Sequence, residues 1–433
     1  MNKDTILVWF RNDLRVHDNE ILWQALERAD KVVPVYIFDP RHYIVDERGL
    51  SKTGVIRAKF ILESVLDLRL SLQALGADLL VASGCPEELL LSLAERYNVK
   101  EVYHHREVAE EETHVSTLVE ESLWKKRLNL KHFIGHTLYH KEDLPFPIKD
   151  IPDTFATFRK KVERETSIRP TVNTPNHVML PDDFEAGDIP TLKELGYTDT
   201  AIKMADKSVF KGGEKEALKQ LNAIIEGDQS DQDNDFLMGE GTVLSPWIAL
   251  GCLSAHTLYH TVKRFEERGL SKRTAAAIVT GLLWRDYFRF MFKKHGNRFF
   301  TLKGFSEEVP QEQKEVEKRF DRWKNGETGE PIIDAAMNQL NTIGFMPNVP
   351  RALAAHYLIH EMGVNHLLGA AYFEDKLIDY GPASNYGNWA HIAGVGSSVK
   401  DNGIKDIKKL KALFDPNGEY VKRWNSAQIS LTD

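Results

Sequence analysis

Four short apolar runs, at residues 5–10, 32–38, 78–82 and 101–105, are each separated from the next by an amphipathic stretch. Strands apolar on both faces belong inside a covered sheet, and the helical crossovers between them make that sheet parallel. Residues 1–135 are therefore predicted to form a doubly wound α/β domain. Asp18 is the predicted N-cap of its first helix, with Ile21, Leu22, Ala25 and Leu26 on one face, and a second helix is predicted from about Gly54 to Leu75. Ligands of such sheets sit beyond the carboxyl ends of the strands, here near Asn12-Asp13, Asp39-Pro40 and His105 to Glu107.

From 136 to 205 the periodicity breaks up and seven prolines, Pro145 to Pro190, punctuate a connector that Tyr139, Phe146, Phe155 and Phe158 can anchor. From 206 to 433 strand signals nearly vanish, and helical patterning recurs near 212–226, 246–268, 271–294, 331–343, 350–361 and 366–378. The second half is predicted to be an all-α domain. With only Cys85 and Cys252 there is no disulfide framework or four-thiolate zinc site. No basic leader and no apolar run of membrane-spanning length is read, so a cytoplasmic protein without a membrane partner is expected. The chain carries 56 Lys and Arg against 64 Asp and Glu, a net charge of −8 that argues against a globally basic nucleic-acid coat. The stretch 245–300, however, has ten Lys and Arg against three Asp and Glu, or +7, which leaves room for a local phosphate-binding face.

Neither common phosphate-binding fingerprint follows the first strand, and Gly239 to Thr242 is only a loop-like echo of one. His256/His260 and His356/His360 have helical spacing, but without a third ligand they read as packed or solvated histidines, and no metal is expected. The segment Gly281-Leu282-Leu283-Trp284-Arg285-Asp286-Tyr287-Phe288-Arg289-Phe290 mixes aromatic faces that stack on rings with arginines that neutralise phosphates. It suits a cofactor or nucleic-acid pocket, and equally a core helix with a solvated basic face. Asp379 to Trp389, rich in turn formers and amides, reads as a ligand-binding loop or a turn between helices.

Those two clusters, with Val8-Trp9-Phe10-Arg11-Asn12-Asp13-Leu14-Arg15, Thr137 to His140, Asp143 to Pro147, Leu244 to Ser254, Trp323, Gly326 to Asp334 and Ala393 to Gly396, resemble the cryptochrome/photolyase family, DASH cryptochromes in particular. The matches span nearly the whole chain. The resemblance implies an antenna-type α/β domain, a connector and a helical domain holding a bent FAD. It implies blue-light transfer of an electron from reduced flavin to a cyclobutane pyrimidine dimer, preferentially in single-stranded DNA, by a monomer. By the same resemblance Thr242 and Ser245 would meet the cofactor phosphates, and Arg285, Asn348 and Asp379 other parts of FAD. Arg351 would pair with Asp379, and Asn385 would face the flavin ring, with Trp389 within electron-transfer reach. Trp284 and Arg289 would face the substrate, and Glu107 would hold a 5,10-methenyltetrahydrofolate antenna.

The chain also departs from the family pattern. Gly281 stands in place of a glutamate that bonds the dimer, Gly381 in place of a second aspartate, Val349 in place of an arginine, Ala352 in place of Met or Gln, and His391 in place of Trp or Tyr. The relay tryptophans beyond Trp389 are replaced by His366 and Gln313, and an acidic run, 228–235, replaces a family segment before Ser245. Two readings follow: a DASH-type flavoprotein with deoxyribodipyrimidine photolyase activity, or a relative that kept the scaffold but lost repair and acts as a photosensor or a DNA- or partner-binding protein.

Overall fold

Every residue of β1 (Thr5–Phe10) is buried, and its side chains divide by the two-residue period of a strand: Ile6, Val8 and Phe10 enter one apolar core, Leu7 and Trp9 another. A computed structural model describes residues 4–226, 244–307, 315–397 and 407–426. Following β1 come α1 (Glu20–Arg28), β2 (Lys31–Phe38), α2 (Val55–Ala74), β3 (Leu80–Ser83), α3 (Pro86–Arg96), β4 (Val99–His105), α4 (Glu110–Trp124) and β5 (Asn129–Phe133). The sheet is parallel throughout, in the order β3-β2-β1-β4-β5, so the strand order reverses between β1 and β4. α3 and α4 cover one face through Leu90, Ala94, Val115 and Val119, while α1, α2 and the helical half share the core on the other.

Two details of the α/β domain differ from the sequence reading. β5 was not anticipated, because an edge strand paired on one side needs little apolar content, and Leu130 is its one fully buried residue. The N-cap of α1 is Asn19, whose side chain accepts from Leu22 N, not Asp18. Asp18 has a positive φ of 43° and is spent on tertiary contacts, accepting from Val172 N at 2.8 Å and from the Ser254 hydroxyl.

The connector contains α5 (Phe155–Glu165), which its many prolines had obscured, and α6 (Asp199–Ala205). α7 (Glu214–Glu226), α8 (Ser245–Ala249), α9 (Ala255–Glu266), α10 (Lys272–His295), α11 (Val316–Lys324), α12 (Pro331–Ile343) and α13 (Asn348–His356) follow. After a π-helical turn at Tyr357–Glu361 come α14 (His366–Lys376), α15 (Pro382–Ile392), α16 (Ile407–Phe414) and α17 (Glu419–Ser426). The single helix expected over 246–268 breaks at Gly251, whose φ of +64° and contact with the backbone of Asn12 and Asp13 exclude a Cβ. This close approach seats the helical half on the carboxyl end of β1, with Leu14 N donating to Leu250 O at 3.1 Å and Arg15 Nη1 to Gly251 O at 2.7 Å. Among the described residues, no helix is long and apolar enough to cross a membrane.

Candidate functional site

Where the reversal point of the sheet faces the helical half, a cavity of about 540 Å³ opens. Asn12 and Glu107 line it from the ends of β1 and β4; Trp284, Arg285 and Arg289 from α10; Ser245 from α8; Asn348, Arg351 and Ala352 from α13; and Asp379 with Gly381 from the turn before α15. Of the predicted positions beyond the strands, Asp39 is held instead by the fork of Arg41, which also reaches Glu87. Thr242, Gln313 and the acidic run 228–235 lie outside the described residues.

The centre of the helical wall is Asp379, whose side chain is 4% exposed. α13 begins after Pro347 and aims Arg351 at it: Arg351 Nε donates back to Met346 O at 2.5 Å, and Nη2 reaches Asp379 Oδ2 at 2.8 Å. The Ser245 hydroxyl donates to the same oxygen at 2.5 Å. Oδ1 of Asp379 is buried with no partner among the described residues. A buried carboxylate oxygen left unsatisfied is costly, so this arrangement suits a ligand that brings an N–H or O–H donor. An FAD-sized group fits that test in cavity volume and donor demand. Space is also free at two glycines of this wall: a Cβ on Gly281 or on Gly381 would meet no atom within 4 Å.

Arg285 is turned into the wall, donating to His136 O and, at 3.4 Å, to Ile248 O; burial, with Arg289 one turn on, pushes its pKa down to about 10. Arg289, expected to face the substrate, lines the cavity and is also ion-paired across it. Its Nη2 lies 2.8 Å from Glu107 Oε2, an ion pair that joins the helical half to the sheet, with 12% of the Arg289 side chain exposed. Glu107 Oε1 accepts from Asn12 Nδ2 at 2.9 Å and has His136 Nε2 at 3.3 Å. Burial opposes ionisation of Glu107, but His136 and Arg289 outweigh it and hold the carboxyl well below its usual range. Both oxygens of Glu107 thus have partners inside the protein while the residue lines the cavity.

Asn385 is buried, with its amide donating to Ala370 O at 2.9 Å, and is not among the cavity-lining residues, so it does not face the cavity as the resemblance implied. Ser384 and Asn388 line that part of the wall instead. Asp379 to Trp389 is not a loop throughout: Pro382 sits at the first helical position and the rest is α15. Trp389, 2% exposed, is packed edge-on against Phe373 at 5.0 Å and Trp323 at 6.0 Å, centroid to centroid, and the missing Cβ of Gly369 lets α14 approach it. Trp323, which donates Nε1 to Ala354 O at 3.0 Å, is thus the indole beside Trp389. Its spacing of 66 residues in the chain gave no sign of that contact. His366 is buried with Nε2 unpartnered among the described residues, and burial lowers its pKa to about 4.

Sequence reasoning also missed an acidic wall. Glu111 and Glu112, in the first turn of α4, and Glu374, from α14, line the cavity. The run Glu110 to Glu112 carried the signal, but it looked like an ordinary acidic helix start. Burial, reinforced by Glu107, raises the Glu112 pKa to about 7, and Glu374, raised by burial, accepts from the Tyr386 hydroxyl at 2.9 Å. Three of the four paired histidines bond backbone carbonyls: His256 Nε2 meets Leu138 O at 3.1 Å, His260 Nε2 meets Arg169 O at 2.9 Å and His360 Nε2 meets Ile392 O at 2.9 Å.

Residues 6–177 match the DNA photolyase family and residues 278–430 the FAD binding domain of DNA photolyase. A cryptochrome DASH from Gloeobacter violaceus is 39% identical over 98% of this chain and 86% of its own length. The chain belongs to the cryptochrome DASH family. A second member, from Xenopus laevis, is 38% identical over 97% of the chain and 82% of its own length. The crystal structure of a Synechocystis cryptochrome superimposes with a TM-score of 0.89 at 37% identity, covering 97% of this chain and 88% of that one.

Proposed function

We propose that this cryptochrome DASH binds FAD in the cavity around Asp379 and acts under blue light on cyclobutane pyrimidine dimers in single-stranded DNA. The observation that carries the reading is the Arg351–Asp379–Ser245 constellation in the wall of a 540 Å³ cavity that also exposes Trp284. Bound FAD supplies the absorption of blue light and the transferable electron. Arg351 and Ser245 fix Asp379 Oδ2 and leave Oδ1 without a partner among the described residues, so that it would hold a donor group of the cofactor. Trp284 offers an aromatic face to a base, and Trp389 with Trp323 forms a two-indole pair, edge-on at 6.0 Å between centroids, that would carry an electron. Glu107, already paired with Arg289 and Asn12, keeps acceptor sites with which it would hold a folate antenna.

A second reading, a light sensor or DNA-binding protein without repair, is favoured by Gly281, which leaves the mouth of the cavity without the family's carboxyl. Incubating the purified flavoprotein with a dimer-containing oligonucleotide, in light and in darkness, separates the two. Light-dependent restoration of the thymines supports the first reading, and identical light and dark samples support the second.

A further inference from the structure

The ring of Phe155 lies flat on the indole of Trp284, with centroids 3.8 Å apart and planes inclined by 10°. It comes from the first residue of α5, in the connector, and reaches across to α10. The pairing is built in. The Tyr287 hydroxyl donates to Asp153 O at 2.5 Å, Lys294 Nζ donates to Ile151 O and bridges to Asp153 Oδ1, both at 2.7 Å, and Arg159 Nη1 donates to Thr280 Oγ1 at 3.2 Å. Thr154 caps α5 by accepting from Thr157 N, and Phe158 anchors the next turn in the core against Tyr287 and Phe290. One face of the indole is thereby taken, and Trp284 lines the large cavity with Gly281, Phe288 and His391, the Phe288 and His391 rings standing 5.4 and 6.1 Å from it, centroid to centroid.

From this geometry we infer that Phe155 is a positioning residue: by holding one face of Trp284, it makes the other a rigid stacking platform for a nucleobase, so that the connector is part of the DNA site. Indole–base stacking needs a fixed ring plane, and an unsupported indole would lose rotamer freedom on each binding event. The inference rests on the proposed binding of single-stranded DNA and goes beyond it by assigning a residue outside the helical half.

The test compares the FAD-loaded full chain with its Phe155→Ala and Phe155→Tyr variants. Binding is measured to oligothymidylate and to an abasic oligonucleotide of equal length and charge, each over a salt series. The expected result is a base-dependent part of the affinity that falls about fivefold to tenfold in Phe155→Ala and returns in Phe155→Tyr. Abasic affinity, salt slope and flavin content stay unchanged. Equal base preference in wild type and Phe155→Ala overturns the inference, as does a parallel loss of abasic binding, which marks a merely structural role. A wild-type protein that binds neither oligonucleotide overturns the inference together with the DNA half of the proposed function, while its flavin spectrum still reports on the cofactor half.

Discussion

Replacing Gly281 by glutamate tests whether the cavity mouth is as open as its geometry indicates. Gly281 lies inside α10, where a Cβ would meet no atom within 4 Å, and it lines the cavity three residues before Trp284. Glycine in a helix interior costs about 1 kcal/mol relative to alanine, and glutamate only a few tenths, so Gly281→Glu should stabilise the fold by about 0.5 kcal/mol. A glutamate at 281 also stands four residues ahead of Arg285, the favourable orientation for a helical acid–base pair. For a protein of this size the gain corresponds to a melting shift of about 1 °C. At the mouth, the new carboxyl would supply one charge-assisted or neutral hydrogen bond to a bound dimer, about 1–2 kcal/mol, or roughly a tenfold gain in preference for dimer-containing over undamaged oligonucleotide. Denaturant melts and competition binding measure the two quantities. A loss of more than about 1 kcal/mol would show that the space is filled. An unchanged dimer preference would show that position 281 does not border the DNA site.

Asp379→Asn removes the charge that Arg351 and Ser245 share, a one-sided disruption of a buried pair worth about 3 kcal/mol. It should leave the purified protein largely free of flavin, as seen in its visible spectrum. Glu107→Gln leaves Arg289 unpaired between the two halves and should cost about 3 kcal/mol in denaturant unfolding, part of which the double variant Glu107→Gln/Arg289→Met recovers. Glu112 binds its proton more tightly folded than unfolded, with its pKa raised to about 7. Its contribution is therefore present below pH 4.5 and lost as pH rises through 7, and Glu112→Gln should flatten a decline of about 2–3 kcal/mol across that window. Trp323→Phe, which keeps the packing beside Trp389 but removes the second indole, should slow light-driven flavin reduction in transient absorption, and an unchanged rate would exclude that path.

The sheet was legible because parallel strands buried on both faces must be apolar throughout, as Ile6 to Phe10 are. Its edge strand was not, since Asn129, Lys131 and His132 satisfy a strand paired on one side. Some helices of the second half followed from periodicity, such as those over 272–295 and 331–343, whereas α11, α15, α16 and α17 were not anticipated, and Gly251 breaks the one expected over 246–268 beneath Asn12. In the site, the Arg351–Asp379 pair is the one motif similarity implied, while the bond of Ser245 to Asp379 was not foreseen, Ser245 having been assigned to the cofactor phosphates. The partners of Arg289 and Asn385, Glu107 and Ala370 O, lie far along the chain and left no mark in the sequence. Phe155 was legible as an anchor of the connector, but an aromatic in a proline-rich stretch carries no sign of the indole it will cover.

The cofactor content of the purified chain bears most directly on the account. Flavin absorption in the blue, corresponding to one FAD per chain and lost in Asp379→Asn, is the result the Arg351–Asp379–Ser245 constellation requires. A colourless protein that takes up no FAD on reconstitution would contradict it.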